Sequence, residues 1–211
     1  VNIVVHGHDP SLSEMICEYA DDPEMIAYAK EMGAKGITVS GVCCTSNEVA
    51  MRRGIPMAGN FLQQENVVLT GACEAIVVDV QCIFPALGPL SKCFHTKFIT
   101  TSPIAQMPDS DFIRFSAETA GENAKAIVKM AIDNFENRNP DLVYKFASTS
   151  KISFPGSGIA AIATSHNNLE DIKAQLKHQT IGHDKVNQLR HVRFFKDIHG
   201  MVEHMRKHAD I

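Results

Sequence analysis

Val1-Asn2-Ile3-Val4-Val5-His6-Gly7-His8-Asp9-Pro10 carries the pattern on which the fold is read. Asn2 to Val5 is a short run rich in β-branched residues, which pack well on a pleated surface and favour strands. His6-Gly7-His8-Asp9-Pro10 closes it, with Gly7 suited to a tight turn. Ser11 and Ser13 then offer caps for a helix through Met15, Ile16 and Tyr19.

The same unit recurs along the chain. Asp22-Pro23 starts a second helix through Met25, Ile26, Ala29 and Met32, ended by Gly33. Ile37 to Ser40 reads as a strand, Ser46 or Asn47 as the cap of a helix to Arg53, and Gly54-Ile55-Pro56 as its break. Leu62 to Leu69 is helical in pattern. Ala75 to Val80 is dominated by β-branched residues, as expected of a strand buried on both faces. Lys97 to Thr101 and Phe112 to Phe115 are further strands. Ala117 to Phe135 is the longest helix, with Ala120, Ala124, Ile127, Val128, Ala131 and Phe135 on one side. Strands alternating with helices predict an α/β fold: a doubly wound, mostly parallel, Rossmann-like sheet. The fingerprint GxGxxG is absent from the turn after the first strand, so no nicotinamide cofactor is expected.

Composition divides the chain. Of its 211 residues, those up to Asn139 include 10 basic and 17 acidic residues, all six cysteines and three histidines. From Pro140 onward there are 10 basic and 7 acidic residues, no cysteine and seven histidines, so the net charge passes from −7 to +3. We expect two parts, residues 1–138 and 139–211, joined through the turn composition Asn137-Arg138-Asn139-Pro140-Asp141. The overall charge of −4 gives no reason to expect nucleic acid as a partner. No run approaches a membrane span, and Val1 opens a strand instead of a charged leader, so neither anchor nor signal peptide is expected. The missing initiator Met suggests a fragment. Six cysteines without a secretory signal predict a reducing, cytoplasmic setting with metal or free thiols.

Three residues stand where strand-like runs end: His8, Cys44 in Gly-Val-Cys-Cys-Thr, and Cys82 in Val-Asp-Val-Gln-Cys. In an open parallel sheet, ligands gather beyond the carboxyl ends of the strands, where residues distant in sequence meet. One imidazole with thiolates suits zinc, nickel or an iron–sulfur cluster and suits magnesium or calcium poorly. His8, Cys44 and Cys82 are therefore the candidate ligands, with His6 and Cys43 as lower-ranked neighbours. Cys17 and Cys73 have apolar surroundings and read as core. Asp79 reads as the cap of a following helix, with orientation of a ligand as the alternative. His95 and Lys97 read as solvated side chains near the same rim.

The runs containing His8, Cys43-Cys44 and Cys82, together with Arg-Arg-Gly-Ile-Pro-Met-Ala-Gly-Asn-Phe-Leu-Gln-Gln-Glu (residues 52–65) and Cys-Phe-His-Thr-Lys-Phe-Ile-Thr-Thr-Ser (residues 93–102), resemble the middle domain of the anaerobic nickel–iron carbon monoxide dehydrogenases. The resemblance runs from Val1 to about Arg138. It implies a nickel–iron–sulfur cluster, with His8 and Cys44 on its pendant iron and Cys82 on a cubane iron. It further implies CO and CO2 as small-molecule substrates and a homodimeric parent. That parent has N- and C-terminal domains carrying the remaining cysteines. With only part of the ligand set present, the isolated chain is expected to be inactive.

Val143 to Ile159 tells another story. Ser-Thr-Ser-Lys followed by Pro-Gly-Ser-Gly resembles the lysine-bearing segment of fold-type I pyridoxal-phosphate (PLP) aminotransferases, over residues 140–211. That likeness implies Lys151 as the Schiff-base lysine, with Ser148 and Ser150 on the phosphate, and hence a chimera. Structurally, Val143 to Ala147 and Ile159 to Ala163 predict a hairpin. Residues 168–176, 185–192 and 201–207 predict amphipathic helices, giving a hairpin-plus-helices extension. A chimeric scaffold without chemistry is the third possibility.

Overall fold

Because the apolar runs are hydrophobic on both faces, they can be buried only between two layers of helices, and the fold supplies both. Six strands, β1 (Asn2–His6), β2 (Thr38–Val42), β3 (Met57–Gly59), β4 (Ala75–Val78), β5 (Lys97–Thr100) and β6 (Asp111–Phe112), form one sheet of order β3-β2-β1-β4-β5-β6. Every neighbouring pair is parallel. The computed structural model describes residues 1–149, 157–179 and 184–209. It separates into two compact units, Val1–Leu142 and Val143–Ile211.

Alternation along the strands sorts side chains to the two faces. Ile3, Val5, Ala75, Val77 and Ile99 face a layer made by α1 (Pro10–Ala20), α2 (Pro23–Glu31), α3 (Cys43–Arg53) and α6 (Ala120–Asp133), meeting Leu12, Ile16, Met25, Val49, Ile127 and Val128. Val4, Val42, Ile76, Val78 and Phe98 face α4 (Gln64–Leu69) and α5 (Leu87–Lys92), meeting Val67, Val68 and Leu87. Cys17 and Cys73 are buried in these layers. Ile127 is fully enclosed, so removing one methylene without replacing it should cost about 1 kcal/mol in Ile127→Val. Urea denaturation of the two proteins checks this; an unchanged midpoint would mean that the α6 contact packs loosely.

The strand order reverses direction between β1 and β4, and the crevice at that switch point is where the carboxyl-end loops part. Several local details depart from expectation, each with a physical reason. Asp9, not Ser11 or Ser13, caps α1 by accepting the Ser11 N–H at 3.0 Å, with Pro10 in the first turn. α3 starts at Cys43, several residues before the predicted caps, because the Gly7 carbonyl accepts the Thr45 N–H at 2.8 Å in place of a side-chain cap. β3 and α5 were not expected; Gly54-Ile55-Pro56, just before β3, reads as a break.

The expected solvated His95 is corrected. Its side chain is 5% exposed and its Nε2 lies 2.8 Å from Glu74 Oε1. It precedes β5, so it belongs to the rim opposite the carboxyl ends. Lys97 is exposed there and faces Asp111 at 4.0 Å.

The second unit holds an antiparallel hairpin of β7 (Tyr144–Ser148) and β8 (Ala160–Thr164), with Tyr144 opposite Thr164 and Ser148 opposite Ala160. Ser150 and Lys151 lie outside the described residues. Three helices follow, α7 (His166–Gln179), α8 (Lys185–Phe195) and α9 (Ile198–Ala209). His191 and Phe195 of α8 are buried, and the Phe195 ring meets His204 of α9 at 5.2 Å. Among the described residues, no helix is long and apolar enough to cross a membrane.

Candidate metal centre

Three strand ends deliver three turns to the switch point. At the first, β1 ends at His6, and Gly7 takes φ of +131°, a conformation that L side chains avoid. This turn aims His8 into the crevice, where its Nδ1 is buried with no hydrogen-bond partner among the described residues. A buried ring nitrogen without a partner costs free energy unless something binds it.

At the second, Val42 passes into α3 through Cys43, whose φ is +66°. At the third, beyond β4, Gln81 and Cys82 take φ of +64° and +53° in succession. Non-glycine residues held in the left-handed region carry local strain and persist where surroundings impose it. The Cys82 turn has such surroundings. Gln64, fully buried, donates its Nε2 hydrogen to the Cys82 carbonyl at 2.9 Å and accepts the Phe84 N–H at 2.9 Å.

His6 supports the same turn and is no free donor. Its Nε2 lies 3.1 Å from both the Cys82 carbonyl and Gln64 Oε1, and its Nδ1 lies 3.4 Å from the Val42 carbonyl, so the ring is held between acceptor oxygens of three residues. Burial pushes the His6 pKa down, which keeps the ring neutral.

The result is a group of three donors. One imidazole nitrogen of His8 and the sulfurs of Cys43 and Cys82 all lie within 4.8 Å of one another. Cys44, the neighbour that the strand-end pattern favoured, is exposed and outside this group. Burial pushes the Cys43 thiol up to about 11, so without a cation it stays protonated at neutral pH. A metal displaces that proton. One nitrogen and two sulfurs converging on a point fit a soft or borderline transition metal, and an unpartnered His8 Nδ1 gives that fit a second, independent support.

Asp79 sits beneath the same turns, 8% exposed. It caps no helix, which corrects the reading made from sequence, because the next helix begins only at Leu87. Instead its carboxylate accepts the N–H of His8 at 2.5 Å, the Thr45 hydroxyl at 2.9 Å and the N–H of Val80. Burial raises its pKa, against the lowering effect of those hydrogen bonds. Gln64 and Thr45 are the residues of the site that composition does not advertise, since polar side chains at such positions read as surface or caps, whereas the position of Asp79 fits the alternative reading of it as a residue that orients a ligand.

Comparisons with known proteins bear on this geometry. The profile of the Prismane/CO dehydrogenase family matches residues 1–195. Carbon monoxide dehydrogenase 1 of Methanosarcina mazei is 57% identical over 143 residues, 68% of this chain and 23% of that protein. Carbon monoxide dehydrogenase 1 of Carboxydothermus hydrogenoformans is 46% identical over 176 residues, 82% of this chain and 27% of that one. A match of that length cannot be laid on this chain without crossing residues 138–144. Among solved structures, the nickel-free carbon monoxide dehydrogenase of Thermococcus sp. AM4 is 46% identical with a TM-score of 0.67, covering 92% of this chain and 28% of that one. A putative aminotransferase from Corynebacterium diphtheriae, 18% identical at a TM-score of 0.34, carries no argument. The chain spans about a quarter of the length of the relatives it matches.

Proposed function

Because the chain belongs to the Prismane/CO dehydrogenase family, we propose that it is the portion of a carbon monoxide dehydrogenase whose sheet supplies part of the protein ligands of a nickel–iron–sulfur cluster. The observation that carries this reading is the convergence of His8, Cys43 and Cys82 at the switch point. His8 and Cys82 are two of the ligands, and the Cys43-Cys44 pair supplies the third. Cys43 supplies it in the geometry described here, whereas the strand-end pattern favours Cys44. When bound, such a cluster supplies the Lewis acid and the electron store for interconverting CO and water with CO2, protons and electrons.

This chain's own residues do the holding. Gly7 turns His8 inward, the Gln64 and His6 bonds keep the Cys82 carbonyl turned away so that its sulfur faces the crevice, and the two apolar layers shield the floor of the site from water. The remaining ligands and the path for electrons belong to parts of the parent beyond the matched quarter. We place that parent in the cytoplasm as a homodimer. The PLP reading of Lys151, Ser148 and Ser150 is not carried forward, because the family match continues through residue 195.

The test is anaerobic reconstitution of the full chain with iron, sulfide and nickel, followed by metal content and visible absorption. His8→Ala and Cys82→Ser should each lose most of the bound metal. Cys43→Ser should lose more than Cys44→Ser; the reverse order would move the ligand to Cys44, and wild-type loading in His8→Ala would overturn the centre altogether.

A further inference from the structure

The three donors stand on three separate turns, so whether they face a common point depends on what ties the turns together. Asp79 reaches all of them. One carboxylate oxygen takes the N–H of His8 itself, at 2.5 Å, and the N–H of Val80, where the turn leading to Cys82 begins. The other takes the hydroxyl of Thr45 at 2.9 Å. Thr45 is fully buried in the first turn of α3, two residues beyond Cys43, so this bond sets where the start of that helix sits.

Asp79 is nearly enclosed, and its partners at His8, Val80 and Thr45 are neutral donors. Its oxygens accept the His8, Val80 and Thr45 hydrogens together, and any Cβ at Gly7 would occupy the space of that carboxylate. The acceptors of one side chain thus stand at the point where the ligand turns meet, and a partner that orients ligands strengthens metal binding.

We propose that Asp79 is the positioning residue of the metal centre: it clamps the His8, Cys43 and Cys82 turns into one preformed donor triangle before any metal arrives. This inference rests on the metal-centre reading above and deepens it. Preformed donors bind a metal more tightly than donors that must first be ordered.

The test uses the full chain, reduced and anaerobic, titrated with cobalt(II) alone, whose thiolate charge-transfer and ligand-field bands report both affinity and geometry. Asp79→Ala leaves every ligand in place and should weaken cobalt binding on the order of 10–100-fold, the usual effect of removing a partner that orients a ligand. Thr45→Val cuts only the tie to α3 and should weaken binding by a smaller factor, with altered ligand-field bands. Asp79→Asn keeps one acceptor oxygen for the two N–H groups and should recover much of the loss. Thermal unfolding of each metal-free variant gives the readout for a role in folding alone. If Asp79→Ala or, should that variant not fold, Thr45→Val binds cobalt with wild-type affinity and spectrum, the proposal is overturned, whatever happens to stability. If the wild-type chain shows no thiolate–cobalt band, the metal centre falls and this proposal with it. If wild type binds and His8→Ala does not, while the Asp79 and Thr45 variants bind normally, only the positioning role falls.

Discussion

Arg138→Ala should cost the first unit about 3–5 kcal/mol near neutral pH, the range for breaking a buried ion pair from one side. Glu74 has no exposed surface, and its carboxylate is met by Arg138 Nε at 2.7 Å and Nη2 at 2.6 Å, by His95 Nε2 at 2.8 Å and by the Asn2 N–H at 2.6 Å. Without the guanidinium the charge stays buried with too few donors. Arg138 also donates to the Ala72 carbonyl and lies over the Phe135 ring at 4.8 Å, so its loss unties the end of the first unit from the amino-terminal rim of its sheet.

The pH dependence of this network has a definite sign. Burial alone would raise the Glu74 carboxyl, but the hydrogen bonds from His95, Arg138 and the Asn2 N–H outweigh it and hold the group below the ordinary carboxylate range. A carboxyl depressed in the fold contributes stability above its unfolded pKa and loses it as pH falls through the folded value. The wild-type unfolding free energy should therefore drop on acidification below about pH 4, and the deficit of Arg138→Ala should shrink over the same range. Urea unfolding at neutral and acidic pH measures both. A deficit under about 1 kcal/mol at neutral pH would place the pair with ordinary surface salt bridges.

Gly7→Ala should be nearly as damaging, by about 4 kcal/mol. Two costs combine there. The φ of +131° lies where an alanine is strained, by about 1–3 kcal/mol. The new methyl also overlaps the Asp79 carboxylate, which cannot swing aside without releasing the His8, Val80 and Thr45 bonds, a further loss of about 1–3 kcal/mol. Gly54→Ala is the matched comparison. Gly54 ends α3 at φ +71° with open space around it, so it should lose only the backbone strain, about 1–2 kcal/mol. Chemical denaturation of the two variants separates the terms; equal losses would mean that Asp79 yields without cost.

The strands and their alternation with helices were legible because apolar β-branched runs buried on both faces have no other use in a chain of this composition. β1, β4 and β5 begin where their patterns begin. The breaks in pattern were less reliable. Met57–Gly59 pairs with β2 although it follows Gly54-Ile55-Pro56, because an edge strand of three residues needs little propensity once a neighbour offers its ladder. α5 forms across Gly88-Pro89 because Leu87 is fully buried there. In both cases packing overrode local preference.

By itself the sequence determined the kind of chemistry on offer: one imidazole and soft sulfur donors, each at the end of a strand, in a parallel sheet whose loops converge at one rim. It also carried the family likeness, since that resides in the strand-end motifs. Only the tertiary structure decided which atoms meet. That the Cys43 sulfur stands with His8 and Cys82 goes with a helix α3 that begins at Cys43 and a left-handed φ there, and Thr45 of that first turn is bonded to Gly7 and Asp79 on the other two turns. Asp79 and Glu74 are alike in composition, yet one ties the ligand turns together and the other closes an ion network at the opposite rim. A charged residue carries no mark in sequence of whether it will be buried, because burial is a property of what packs around it.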